Sequence, residues 1–347
     1  FLVISCPCAL VVSVPLGYFG GIGLASKYGL FFKGANCLDA VSKLDCVAFD
    51  KTGTLTKGEL SVQSVETFPG ADPSWRAMAV ALESKSNHPA AQAIARSGAD
   101  LADVPQASDV EELPGMGLRG TVNGAEVLAG NRKLFDSRGI ALPEQKSDLN
   151  CVYIAVNGKP SGCFLLDDTL KEEAEDALKR LHDEGIRSAL LSGDRKATAE
   201  RVANALGIHE IHAELLPGDK RSVLRGLKRN AGHVAFVGDG INDAAVLADS
   251  DLGIAIGKNG SDLAIDAADL VIRDGDLRRI HLAMRIGRAT RSVVWQNIIL
   301  AFAVKAAVLI LGAWGLATLW EAVFADVGVA ILAILNAVRI QRMKMDL

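Results

Sequence analysis

Leu44-Asp45-Cys46-Val47-Ala48-Phe49 runs directly into Asp50-Lys51-Thr52-Gly53-Thr54-Leu55-Thr56. A short apolar run that stops at a polar, glycine-containing turn is a buried strand ending where an open parallel sheet places its ligands. Downstream, strand-like and helix-like stretches alternate. Residues 163–166 precede a helix over 171–184, 187–191 a helix over 197–206, and 233–237 a helix over 242–248, with 252–256 as the closing strand. Repeated strand–helix units predict a doubly wound parallel sheet.

The texture between these parts differs. A helical stretch over 75–95, a turn-rich segment over 113–120, and short strands near 124–129 and 151–156 predict an inserted α+β domain. The expected organisation is a membrane helix and stalk over 1–43, a split sheet domain over 44–60 and 159–277, an insertion over 61–158, and a stalk with two membrane helices over 278–347.

The membrane part follows from segregated composition. Half of the 347 residues are hydrophobic and 22% are charged, yet residues 1–25 and 292–340 are nearly free of charge. Arg285, Arg288 and Arg291 precede the first C-terminal span, and Arg339, Arg342 and Lys344 follow the second, as expected for a hairpin whose ends are both cytoplasmic. The chain opens in full hydrophobic stride at Phe1, which reads as a cut within a membrane helix, with further sequence expected upstream. A net charge of −4 and 5% aromatics give no footprint for nucleic acid. Six scattered cysteines fit a reducing compartment; Cys37, Cys46, Cys151 and Cys163 read as packing residues.

Asp50 is the candidate nucleophile. A carboxylate at a strand end can attack a γ-phosphate, provided nearby groups neutralise the transferring charge. Lys51, the hydroxyls of Thr52 and Thr54, and the turn amides suit that task. Three further segments carry matching chemistry: Ser192-Gly193-Asp194 after one strand, Gly238-Asp239-Gly240-Ile241-Asn242-Asp243 after another, and Lys220 after Pro217-Gly218-Asp219. Hard carboxylate oxygens suit Mg²⁺. A turn with a capping Asp is the plainer alternative for the first segment taken alone.

In the apolar N-terminal segment, Pro7 breaks the helical turn, so Cys6 and Cys8 can address one cavity although i and i+2 otherwise face apart. Thiolates select soft cations. Lys305 and Asp326 are charges inside the later spans, where an ionisable group is costly and marks an ion path or a structural pair.

DKTGTLT, SGDR and GDGINDA in this order resemble the P-type ATPases of the haloacid-dehalogenase-like superfamily. The resemblance extends over essentially the whole chain. It implies Asp50 as the phosphorylated residue, Asp239 with Asp50 and the Thr52 carbonyl around Mg²⁺, and Lys220, Asn242 and Asp243 as supports. Ser192 stands where the family usually has Thr. Ser86-Asn-His88-Pro89 and Gly115-Met-Gly117 within the insertion resemble the nucleotide domain of the heavy-metal branch. By that resemblance Glu83, Ser86 and His88 meet ATP on its adenine side, Gly115 and Gly117 allow close backbone approach, and Gly130 and Asn131 complete the pocket. Cys6-Pro7-Cys8 with Lys305 and Asp326 resembles the zinc, cadmium and lead exporters. The Tyr-Asn and Met-Ser-Ser patterns of copper exporters are absent. Asp326 would join Cys6 and Cys8 around Zn²⁺, Cd²⁺ or Pb²⁺, with Lys305 as counter-charge. A multi-pass protein of the plasma membrane is implied, with cytoplasmic catalytic domains and the family's actuator domain upstream. Two other classes compete: a membrane-anchored phosphatase of the same superfamily, and a metal-binding membrane protein with a decayed domain. Such phosphatases carry an Asp two residues after the nucleophile, where this chain has Thr52.

Overall fold

The computed structural model describes residues 8–101, 103–143, 150–239, 243–257, 262–315 and 318–345, with side chains left out at 8, 217, 262–264 and 319. Cys6, Gly240, Ile241 and Asn242, and the side chain of Cys8, therefore lie outside the described residues. The chain divides into two units, 1–55 with 172–347 and 56–171.

In chain order the first unit begins with α1 (Cys8–Lys27), β1 (Leu30–Phe32), α2 (Ala35–Val41) and β2 (Cys46–Asp50). The second unit holds β3 (Thr56–Thr67), α3 (Trp75–Glu83), α4 (Pro89–Arg96), β4 (Ala107–Leu113), β5 (Gly117–Val122), β6 (Ala125–Gly130), α5 (Arg132–Ser137), β7 (Asn150–Val156) and β8 (Lys159–Leu170). The first unit resumes with α6 (Ala174–Asp183), β9 (Arg187–Leu191), α7 (Lys196–Leu206), β10 (Glu210–His212), α8 (Pro217–Ala231), β11 (Val234–Gly238) and α9 (Ala244–Asp249). It ends with β12 (Leu252–Ile256), α10 (Asp262–Ala267), β13 (Leu270–Ile272), α11 (Arg278–Ala313) and α12 (Leu319–Arg339).

The first unit's sheet runs β1-β13-β12-β11-β2-β9-β10, parallel throughout except for β1, which pairs antiparallel at the edge with β13. β2, β11 and β12 are buried along their whole length, and their sequences CVAFD, VAFVG and LGIAI are almost wholly apolar because helices cover both faces. α6 shows the complementary pattern. Ala174, Ala177, Leu178 and Leu181 form its buried stripe, Glu175 and Asp176 occupy the first turn, and Arg180 the last, each charge opposing the helix dipole. The parallel series does not close at residue 256 as the sequence suggested. β13 extends it and β1 then adds an antiparallel edge, both missed because three-residue strands carry too little periodicity to be seen.

The second unit is a six-stranded antiparallel sheet, β3-β8-β7-β6-β5-β4, packed on α3 and α4 around Trp75, Leu82, Ile94, Ile154 and Phe164. Two expectations change here. Residues 163–166, expected in the parallel sheet, lie within β8 between β3 and β7. The single helix expected over 75–95 is two: Pro89 starts α4 and holds His88 extended at ψ 138°, because the residue before proline avoids helical backbone.

Among the described residues three helices have the length and hydropathy to cross a membrane, residues 9–27, 278–313 and 320–342. α1 and α11 pack through small residues. A Cβ on Gly17 would come within 2.8 Å of Val294, and one on Gly21 would overlap Thr290. Trp295, Phe302, Ile310, Trp320, Phe324 and Leu335 point outward, as lipid-facing side chains do. The charged N-terminal part and the apolar span of α11 form one uninterrupted helix of 36 residues.

Candidate functional site

Asp50 ends β2 beside the ends of β9 and β11, so the chain's approach to each strand terminus delivers a polar side chain to one place. Lys220 Nζ, on the first turn of α8, lies 2.6 Å from Asp50 Oδ1 and 2.9 Å from Asp243 Oδ1. Carboxylate oxygens of Asp50, Asp239 and Asp243 all fall within 4.8 Å of one another. Lys51 pairs with Asp194, whose Oδ2 accepts from Ser192 Oγ at 3.1 Å. Asp50 and Asp243 are 8% and 2% exposed. Burial, and after it the Asp243 charge, push the Asp50 carboxyl up to about 6 against the pull of Lys220.

Three acidic groups around one lysine leave excess negative charge, the arrangement that a hard dication relieves. The fit is supported by Thr54, fully buried with no hydrogen-bond partner on Oγ1. Gly53 lies at φ +73°, and a Cβ there would overlap the Asp239 carboxylate. The turn 51–55 is therefore drawn as close to Asp239 as backbone allows. Thr52 and Gly193 are exposed at the rim.

A second site lies wholly within the other unit. A cavity of about 250 Å³ is lined by Glu83, Ser86, His88, Gly115, Gly117, Gly130 and Asn131 together with Glu112, Met116, Cys151 and Val152. Burial alone pushes the Glu83 carboxyl up to about 7. His88 caps α4, its Nδ1 accepting from Ala90 N at 3.2 Å, which leaves the proton on Nε2. Gly117 and Gly130 sit face to face on β5 and β6 where any Cβ would meet backbone, so the cavity wall there is bare main chain. Asn131 is spent structurally: Oδ1 caps Leu134 N at 3.3 Å and Nδ2 donates to Gly115 O at 2.9 Å. It shapes the loop 115–117 and offers a ligand little.

Between the membrane helices, Lys305 Nζ of α11 lies 3.9 Å from Asp326 Oδ1 of α12, in a small cavity completed by Ala9, Ala301 and Val329. About two turns before Lys305 on α11, Asn297 is buried, donates to Ala333 O at 3.0 Å and accepts from Asn336 at 2.9 Å.

Residues 44–251 match the haloacid dehalogenase-like hydrolase family. The chain belongs to it. Metal-transporting P-type ATPases are among the proteins it resembles. It is 46% identical over 350 residues to the cadmium, zinc and cobalt-transporting ATPase of Bacillus subtilis (strain 168), covering 99% of this chain and 50% of that protein. Identity to the zinc-transporting ATPase of Synechocystis sp. is 45% over 345 residues, covering 98% and 48%. The crystal structure of a zinc-transporting PIB-type ATPase in the E2.Pi state matches with a TM-score of 0.88 at 35% identity, over 98% of this chain and 57% of that one. The chain thus spans about half the length of the curated relatives it matches.

The residues singled out in the sequence gather in three places. Asp50, Lys51, Thr54, Ser192, Asp194, Lys220, Asp239 and Asp243 converge at the sheet, the seven nucleotide-side residues around one cavity, and Lys305 with Asp326 between helices. Sequence reasoning passed over Asn297 and Asn336, two amides inside an apolar span that polarity alone could have flagged. It also took Cys151 for packing, although it lines the cavity.

Proposed function

We propose that this chain carries the phosphorylation, nucleotide-binding and ion-binding parts of a pump that exports a soft divalent cation (Zn²⁺, Cd²⁺ or Pb²⁺) at the expense of ATP. The observation that carries it is Lys220 held between Asp50 and Asp243 with the Asp239 carboxylate alongside. An Asp50 carboxylate oxygen attacks the γ-phosphorus of ATP, its O–P bond forms, and the bond to the leaving ADP oxygen breaks. Lys220 keeps Asp50 ionised and faces the charge of the transferring group, while Lys51 and the Thr54 hydroxyl offer further stabilisation. Asp50 and Asp239, with the Thr52 carbonyl, would hold Mg²⁺, which when bound supplies additional positive charge to the phosphoryl oxygens. Asn242 would assist beside Asp243. In the second unit Glu83 and His88 address adenine edges while the bare backbone at Gly117 and Gly130 admits the ring and ribose.

Phosphatases of this superfamily use an Asp two residues after the nucleophile as acid and base. Thr52 cannot take that role, so the aspartyl phosphate persists. That lifetime lets the membrane helices respond. Cys6, Cys8 and Asp326 would ligate the ion, and Lys305 would neutralise Asp326 when the ion has left. The basic residues at the ends of the two apolar spans support cytoplasmic catalytic units, and the resemblance supports a place in the plasma membrane. Dephosphorylation falls to sequence beyond this chain, for which the resemblance implies an actuator domain.

The test is transfer of label from γ-labelled ATP. An acid-stable, hydroxylamine-labile phosphoryl group, lost in Asp50→Asn, supports the pump; absence of such a species sinks it. In the full-length protein, Asp326→Ala should abolish zinc-stimulated hydrolysis of ATP, and unchanged stimulation would remove Asp326 from the ion site.

A further inference from the structure

The cysteines of β7 and β8 sit on one face of the antiparallel sheet, at the wall of the nucleotide cavity. Tyr153 lies directly opposite Cys163, and Cys151 opposite Leu165, so the two thiols are diagonal neighbours on the same side of the pleat. They share a hydrogen bond. On the other flank of Cys163, Glu66 of the edge strand β3 is its direct cross-strand partner, with Cys163 Sγ 3.8 Å from Glu66 Oε2. Three adjacent strands therefore present thiol, thiol and carboxylate in a row.

We propose that Cys151, Cys163 and Glu66 form a second binding site for a soft divalent cation, apart from the ion site of the membrane helices. The separation of Cys163 from Glu66 suits one ion. Metal–sulfur and metal–oxygen bonds of roughly 2.3 and 2.1 Å at a tetrahedral angle put sulfur and oxygen about 3.6 Å apart. The observed separation is 3.8 Å. Among the described residues the strict convergence of three ligand atoms occurs only at Asp50, Asp239 and Asp243. Glu66 is exposed on an edge strand and has three rotatable bonds with which to close the remaining gap toward Cys151. Cys163 is 3% exposed and Cys151 half-buried, so one ligand is fixed in the core while the other opens onto the cavity that Glu83, His88 and Gly115 line.

An ion held by both thiols displaces their protons. Arg132, lying 5.5 Å from the Tyr153 ring centre, repels a cation, and the Glu66 carboxylate offsets it. Soft thiolate donors select zinc or cadmium over magnesium, so Mg²⁺ at millimolar concentration does not compete. Because Cys151 belongs to the cavity wall, an ion held there couples to nucleotide affinity, and the coupling is reciprocal.

The experiment uses the full chain with Cys6→Ser and Cys8→Ser, which removes the thiols of the membrane helix. Cd²⁺ alone is titrated while the ultraviolet sulfur-to-cadmium charge-transfer band is followed. The expected result is one ion per chain, with the band about halved and affinity at least tenfold weaker in Cys151→Ser or Cys163→Ser. Glu66→Gln should keep the band and weaken binding several-fold. Circular dichroism and thermal melting confirm that each variant is folded. A band untouched in both cysteine variants overturns the proposal, as does a thiol pair that takes up no Cd²⁺ and instead forms a disulfide reversible by dithiothreitol.

Discussion

Replacing Asp50 by Asn isolates what the nucleophile costs the fold. Its carboxyl titrates near 6 in the folded protein against 3.8 as an ordinary side chain, because burial and Asp243 disfavour its charge more than Lys220 restores it. The gap, 6 − 3.8, multiplied by about 1.36 kcal/mol per pH unit, gives roughly 3 kcal/mol. The sign follows from which state holds the proton. With the folded value above the unfolded one, this contribution is fully present below pH 4 and is lost as pH rises through 6. At pH 7.5 the ionised Asp50 therefore destabilises the fold by about 3 kcal/mol, and Asn, which does not titrate, escapes that cost. The variant should be about 2–3 kcal/mol more stable at pH 7.5, the advantage shrinking between pH 6 and 4. Denaturant unfolding of the full chain in detergent and a chelator, across pH 4–8, measures it. An Asn variant less stable at pH 7.5, or a difference that ignores pH, would refute the reasoning. The nucleophile would then be a structural ion pair, and not a strained group held for chemistry.

Glu83→Gln should bind an ATP analogue within a few-fold of wild type while losing a pH dependence. The carboxyl, protonated below about 7, both donates and accepts along an adenine edge, so wild-type affinity falls from pH 6 to 8 and the variant's stays flat, as calorimetry at several pH values would show. Thr54→Val removes an unpartnered buried hydroxyl and should raise stability by about 1 kcal/mol while phosphoenzyme formation drops at least tenfold. If labelled phosphoenzyme is unchanged, Thr54 has no part in the transfer. Gly53→Ala places a Cβ against Asp239 at a left-handed φ and should cost about 1–2 kcal/mol in a melt and most of the phosphorylation. Full activity in that variant would mean the turn and Asp239 do not act together.

How much was legible depended on where the chemistry sat. Asp50, Lys220 and Asp243 come from three strand–helix junctions, and polar clusters at the ends of apolar runs announce themselves because nothing else explains a carboxylate there. The nucleotide cavity was harder. Glu83 ends a helix and Gly130 a strand 47 positions on, and only the packing of that helix on the sheet brings them together, so grouping them needed the resemblance and not the periodicity. Asn131 showed the opposite problem: a polar residue beside a site, occupied by capping α5, looks the same in sequence as one facing a ligand. Residues 163–166 were misplaced because four apolar residues in a row carry no sign of parallel or antiparallel pairing.

The unbroken run of α11 has a consequence for what the chain tolerates. At about 1.5 Å per residue its 36 residues make a rod of roughly 54 Å, with Arg278 against the sheet domain at one end and Lys305 facing Asp326 further along. Adding or removing a single residue between Arg291 and Asn297 would turn everything beyond it by about 100°, carrying Lys305 away from Asp326 without touching either side chain. A surface loop can absorb an added residue, but in that stretch a one-residue change of length puts the two ends out of phase.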